Sequence, residues 1–76
     1  MQIPIGAIGT IINSGKTAHR VRVSDDADDT GGFFIYEWWD GSDGPNEHQG
    51  FDSWVETQDD LQQFFARSGW QVDWPA

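Results

Sequence analysis

The sequence predicts a single compact α+β domain over residues 1–76, with an antiparallel-rich β-sheet of about five strands and one helix on one face. The predicted order is β-β-β-β-α-β. Three observations support it: segments that alternate polar and apolar residues, turns rich in glycine between them, and one amphipathic segment with capping residues. A chain of 76 residues buries only a modest core, so its stability margin is small.

The first two predicted strands form a hairpin. Residues 7–13 (AIGTIIN) are rich in β-branched side chains, and the sequence NSGK at 13–16 is a turn signal. Residues 17–24 (TAHRVRVS) alternate, which places His19 and Val21 on one face and the arginines on the other.

Two further strands follow, each after a polar loop. Residues 25–32 carry four aspartates and two glycines, and lead into FFIYEWW at 33–39. Residues 40–50 (DGSDGPNEHQG) form a second loop before FDSWVE at 51–56. Aromatic and β-branched residues favour strands, whereas aspartate, glycine and proline favour turns.

A helix is predicted directly after Thr57. The Thr57 hydroxyl caps the first amides, while Asp59 and Asp60 suit the positive end of the helix dipole. Arg67 falls in the last turn, and Gly69 ends the helix in the left-handed conformation. Beyond it, residues 70–74 (WQVDW) alternate again and supply the last strand.

One helix leaves one sheet face to be covered by something else. The helix carries a single apolar stripe, Leu61, Phe64 and Phe65, at helical spacing. The strand at 33–39, however, is apolar on both faces. The second face must be closed by a curled sheet, by the loop at 40–50, by a second subunit or by a ligand.

Charge is distributed unevenly. Thirteen acidic residues against four basic ones give a net charge of -9, and three of the four basic residues precede residue 25. Such a field repels nucleic acid and anionic membranes and favours a basic partner or cations. There is no cysteine and no apolar run of the roughly 20 residues that a membrane helix needs. We expect a cytoplasmic protein.

The aspartate-rich segment raises a calcium-binding alternative within residues 25–37. Asp26, Asp28 and Thr30, followed by Gly31 and Glu37, match the spacing of an EF-hand loop. The flanking segments are strand-like, however, and a strand would carry Glu37 roughly 20 Å from Gly31. The predicted metal ligands are therefore limited to Asp26, Asp28 and Thr30, and Ca²⁺ is the candidate cofactor.

Catalysis has little support in the sequence. His19 lies on the apolar side of a strand, and His48 adjoins Glu47, but adjacent residues seldom face each other. No serine lies in a nucleophile motif. The loop residues Asp40, Asp43, Glu47 and His48 are also metal-donor types, although glycine and proline explain this loop equally well. We therefore predict that this protein is not an enzyme.

The leading functional hypothesis is a non-catalytic protein-binding module with an acidic and aromatic surface. Its candidate residues are Trp38, Trp54, Asp40, Asp43 and Glu47, because tryptophan anchors ringed by carboxylates suit basic, partly apolar partners. In size and charge the chain resembles small acidic inhibitor or immunity proteins. The alternatives are the cation-binding domain and a self-associating homodimer, in which the spare aromatic face and the oppositely charged halves meet.

Overall fold

The computed structural model describes residues 3–46 and 48–75, which form one antiparallel five-stranded sheet and one helix. This confirms the predicted α+β class and the order β-β-β-β-α-β. The elements are β1 (Ile8–Ile11), β2 (Arg20–Asp26), β3 (Gly32–Trp38), β4 (Phe51–Val55), α1 (Gln58–Ser68) and β5 (Val72–Asp73).

The strands lie in the order β4-β3-β2-β1-β5. The first four therefore form an up-and-down meander, and α1 carries the chain from the β4 edge to the opposite edge, where Val72 of β5 pairs with Ile11 of β1. Within the described ranges, no helix has the length and apolar character needed to cross a membrane.

The connections differ from the predicted boundaries. The predicted turn at 13–16 is part of a longer connection between Ile11 and Arg20, in which Ala18 has a φ of 55°. A left-handed residue interrupts the extended backbone, so β2 begins later than predicted. At its other end β2 continues to Asp26, whose carbonyl accepts hydrogen bonds from the amides of the following turn.

The core lies between one face of the sheet and α1. Its buried residues are Ile3, Ile11, Val21, Val23, Ile35, Leu61 and Phe65. The helix ends follow the sequence prediction: Thr57 Oγ1 accepts from the Asp60 amide at 3.1 Å, and Gly69 has a φ of 70°. These caps hold α1 in the position that buries its apolar stripe.

The sheet face opposite α1 carries the second set of aromatic side chains. Register places Phe34 beside Trp54, and Tyr36 beside Asp52. We call Phe34, Tyr36, Trp38 and Trp54 the aromatic face. The 40–50 loop covers one end of it, because the His48 ring stacks on Trp38 with centroids 4.2 Å apart. The loop therefore contacts the Trp38 end of this face, while Trp54 at the other end is exposed.

Candidate functional site

Trp54 is the most exposed member of the aromatic face. Trp54 is 44% exposed. Its indole is nevertheless held in place, because Nε1 donates a hydrogen bond to Thr30 Oγ1 at 2.8 Å. Gly32 makes room for the ring, since a Cβ there would lie 2.6 Å from the indole carbon Cζ2. Trp54 is therefore an exposed aromatic group with a fixed orientation, which lowers the entropy lost on binding a partner.

Trp38 lies at the other end of the aromatic face. It is four positions along β3 from Phe34, the partner of Trp54, which corresponds to about 13 Å. The His48 ring covers part of Trp38. This stack is not predictable from the sequence, because a loop residue ten positions away gives no periodic signal.

The 40–50 loop is organised by an asparagine. The Asn46 side-chain carbonyl accepts from the His48 amide at 2.9 Å and from the Gly50 amide at 2.7 Å. Two local hydrogen bonds from one side chain stabilise a turn in the way typical of Asn and Asp. This turn positions the His48 ring over Trp38 and fixes one end of the surface.

The predicted carboxylates of this loop are on the protein surface. Asp40 and Asp43 are exposed, and the Asp40 amide donates to the Thr17 carbonyl at 2.9 Å, which attaches the start of the loop to the β1–β2 connection. Glu47, the fifth predicted residue, lies outside the described residues. Trp38 and Trp54 thus share one face, and Asp40 lies in the turn two residues after the end of β3.

A further carboxylate and two arginines lie on the same face. Asp52 is registered opposite Tyr36, and Arg22 is registered on the other side of Tyr36, with its guanidinium 5.5 Å from the ring centroid. Arg20 is registered opposite Trp38. The face is therefore acidic on its β4 side and basic on its β2 side. Asp52 was missed as a site residue, although its alternation with Trp54 in FDSWVE could have identified it.

β3 carries Glu37 away from the predicted calcium ligands Asp26, Asp28 and Thr30, as the strand-like sequence predicts. Asp26 is registered opposite Gly32, and Glu37 lies five positions further along β3. Its Oε2 instead lies 2.7 Å from His19 Nε2. Thr30 Oγ1 lies near the Asp26 carbonyl and accepts from Trp54. In residues 3–46 and 48–75, no group of three or more His, Cys, Asp or Glu is placed to hold a metal ion.

The contact between His19 and Glu37 belongs to a buried hydrogen-bonded chain. His19 is 1% exposed, and its Nδ1 lies 2.8 Å from Ser14 Oγ. Trp39 and Trp70 pack edge-on against the imidazole. Because a carboxylate oxygen only accepts, Nε2 is the donor to Glu37. Ser14, His19 and Glu37 are residue types that also occur together in catalytic triads, and the imidazole at their centre is enclosed by the two tryptophans.

The polar chain at His19 closes the end of the core nearest to Trp39. The Lys16 ammonium lies 5.0 Å from the Trp39 ring centroid, and Phe51 stacks on the same ring with centroids 5.5 Å apart. The alternating pattern predicts that His19 lies on the apolar side of its strand, and the residue is buried there. The pairing of His19 with Glu37 depends on the register of different strands, which the sequence alone does not give.

Comparison of the chain with protein-family models, with curated proteins and with solved structures found no match. Function is therefore inferred from the arrangement of side chains.

Proposed function

We propose that this protein is a non-catalytic binding module that recognises a basic protein through the aromatic face and the carboxylates on its β4 side. The observation that carries the proposal is the fixed indole of the exposed Trp54, which lies on the same face as the exposed Asp52. Rigid aromatic anchors supply most of the binding energy at protein interfaces, and neighbouring charges set the choice of partner.

The charge of the whole molecule supports a basic partner. The net charge of -9 accelerates association with a positively charged surface and disfavours nucleic acid and anionic lipid. Exposed Asp40 and Asp43 add to the field at the Trp38 end of the face. The arginines on the β2 side limit the acidic area, so we expect the partner to contact the β3–β4 half.

Affinity capture with matched variants tests this proposal. The tagged protein, Trp54→Ala and Asp43→Asn are used to capture binding proteins from a lysate of the source cell at low salt. Ile12→Ala and Asp73→Asn serve as controls, because they change an exposed apolar side chain and an exposed carboxylate of β5, at the sheet edge opposite β4. We expect one discrete basic protein that binds the wild type and both controls.

Two results would support the proposal. The captured protein should be absent when Trp54→Ala is used, and it should elute from the wild type at about 0.5 M NaCl, where charge interactions are screened. Direct titration of the purified partner should then show a Kd at least about tenfold weaker for Trp54→Ala, as loss of an interface anchor predicts. A partner that binds Trp54→Ala and Asp43→Asn as tightly as the wild type would contradict the proposed surface.

A further inference from the structure

A groove of about 610 Å³ lies between the end of β4 and α1. β4 is an outer strand of the sheet, and both Trp54 and Val55 line the groove. Neighbouring residues of a strand point to opposite faces of the sheet. A groove that is lined by both Trp54 and Val55 therefore runs alongside the edge of β4. It therefore lies next to the strand backbone as well as next to side chains.

The groove has an apolar wall. Val55 and Phe64 are half-buried hydrophobic residues that pack against the core, and both line the groove. Trp54 supplies a further aromatic surface at its rim. An inserted apolar side chain would bury surface against all three residues, which is the main source of affinity in such grooves.

Carboxylates flank the apolar wall. Glu56 and Asp60 line the groove, and both residues are exposed. The one cation of the lining, Arg67, donates to Gln63 on the same helix at 3.3 Å. The groove thus combines an apolar wall with an excess of negative charge, and this combination favours a ligand that carries both apolar and basic side chains.

Strand alternation gives these features a defined spacing. Asp52 and Trp54 lie on the aromatic face, and the exposed Glu56 follows the last residue of β4 directly. Ser53 and Val55 lie on the opposite, helix side of the sheet, where Val55 packs against the core. A strand laid beside β4 would present alternate side chains to acidic and aromatic groups on one face and to the apolar wall on the other.

We propose that an extended segment of the basic partner adds to the sheet as a sixth strand beside β4. The segment has Lys or Arg at alternate positions, opposite Asp52, Trp54 and Glu56, with apolar residues between them that enter the groove. This inference rests on the proposed function and specifies the chemistry of its partner. Backbone hydrogen bonds to an edge strand supply affinity in this mode, and alternate side chains supply specificity.

A second copy of the chain is a poorer occupant of this edge. Two β4 strands paired in a symmetric dimer would bring the Asp52 and Glu56 carboxylates of both copies together, and like charges placed in this way repel. The other outer strand, β5, contains two residues, Val72–Asp73, and very short edge strands resist pairing. The five-residue β4 is the better template.

The test uses a synthetic peptide of about nine residues, long enough for one strand, in which lysine and valine alternate. Its affinity and its chemical-shift changes are measured by NMR on the full chain. A peptide of equal composition with its lysines and valines in separate blocks controls for charge. Two N-methylated forms, one methylated at every valine and one at every lysine, each remove the amide donors along one edge of the strand.

We expect the alternating peptide to shift the amides of β4 and the Trp54 indole, and to bind at least about tenfold more tightly than the block peptide. One of the two N-methylated forms should bind about tenfold more weakly, as loss of two or more hydrogen bonds predicts. Glu56→Lys should weaken binding, whereas Asp73→Lys, which changes an exposed carboxylate of β5 at the opposite edge of the sheet, should have little effect.

Other outcomes separate this inference from the function on which it rests. Chemical-shift changes confined to Tyr36 and Trp38, together with normal binding of both N-methylated peptides, would overturn strand addition. The proposed recognition of a basic protein would still stand. Equal binding of alternating and block peptides would also overturn strand addition. No binding of either peptide would contradict the inference, and lysate capture would then decide the proposed function separately. A protein that sediments as a dimer, and whose dimer is strengthened by Asp52→Lys because the lysine would meet Glu56 of the other copy, would assign the edge to a second copy.

Discussion

His19 shows how one polar side chain can be accommodated in a small apolar core. Its two ring nitrogens contact Ser14 and Glu37, and two tryptophans enclose the ring. Among the described residues, no buried side-chain nitrogen or oxygen lacks a hydrogen-bond partner. Burial of this imidazole is tolerated because both nitrogens are satisfied, and removal of either partner should be costly.

Replacement of Glu37 by alanine tests this account. Glu37→Ala leaves His19 Nε2 buried without its acceptor, and we expect a loss of about 1–3 kcal/mol in the free energy of unfolding. Glu37→Gln retains an acceptor oxygen and should lose less. Urea unfolding at neutral pH measures both variants.

The control for these variants is Glu56→Ala, because the Glu56 residue is exposed. If Glu37→Ala unfolds at the same urea concentration as Glu56→Ala, then the contact between His19 and Glu37 makes no net contribution to stability.

At the scale of the secondary-structure elements, the helix is positioned by its ends. Thr57→Ala removes the hydroxyl that accepts from the Asp60 amide, and loss of such a cap costs about 0.5–2 kcal/mol. The free energy of unfolding should fall by this amount. Thr17→Ala is a matched control, because the exposed Thr17 engages Asp40 through its backbone carbonyl, which the substitution keeps. Equal stabilities for the two variants would refute the capping role.

The pairing of β3 with β4 depends on Gly32. A Cβ at this position would collide with the Val55 carbonyl and with the Trp54 ring. Gly32→Ala should therefore destabilise the protein by about 1–3 kcal/mol, the usual cost of overpacking, and should change the NMR signals of β4 and of the Trp54 indole. Thermal unfolding and a heteronuclear NMR spectrum check both expectations.

Thr30→Val tests whether the effect of Gly32→Ala comes from the collision with Val55 and Trp54 or from a lost hydrogen bond between Trp54 and Thr30. It removes the acceptor of the Trp54 Nε1–H but adds no atom beside the Val55 carbonyl. We expect a smaller effect on stability than for Gly32→Ala. Unchanged β4 signals in Gly32→Ala would show that the strand accommodates the methyl group, contrary to our expectation.

These elements also show what the sequence could predict. The helix was predictable because capping residues and an apolar stripe are local signals, and β3 was predictable because its aromatic run has strong strand propensity. The late start of β2 depends on the left-handed conformation of Ala18, which an alanine in the sequence does not predict. The cluster at His19 and the stack of His48 on Trp38 required the register and the loop conformation, which are set by tertiary contacts.

At the scale of the whole molecule, the excess of negative charge opposes folding. Four aspartates occupy five positions at the β2–β3 turn, and like charges held close together destabilise the compact state. The melting temperature at neutral pH should therefore rise with NaCl up to about 0.3 M, because the Debye length falls below the spacing of these charges. Asp28→Asn should raise the melting temperature at low salt and weaken its dependence on salt.

Calorimetry across a salt series gives both quantities. Gln63→Ala, which replaces an exposed neutral residue on α1, controls for effects of mutation that are independent of charge. A melting temperature that falls with added NaCl would mean that attractive pairs, such as Lys16 with the Trp39 ring, outweigh the repulsion.

The antiparallel pairing of β1 with β5 has a consequence for synthesis on the ribosome. In the meander from β1 to β4, each strand pairs with the next strand in sequence, so pairing can begin as the chain emerges. The registered pair of Ile11 and Val72 joins two segments that lie far apart in sequence, and closure of so long a loop is slow. Until β5 has left the exit tunnel, the outer edge of β1 is unpaired and the half-buried Trp70 and Trp74, which pack against the core, are missing. During translation, that edge is where a nascent chain of this protein is most exposed to aggregation.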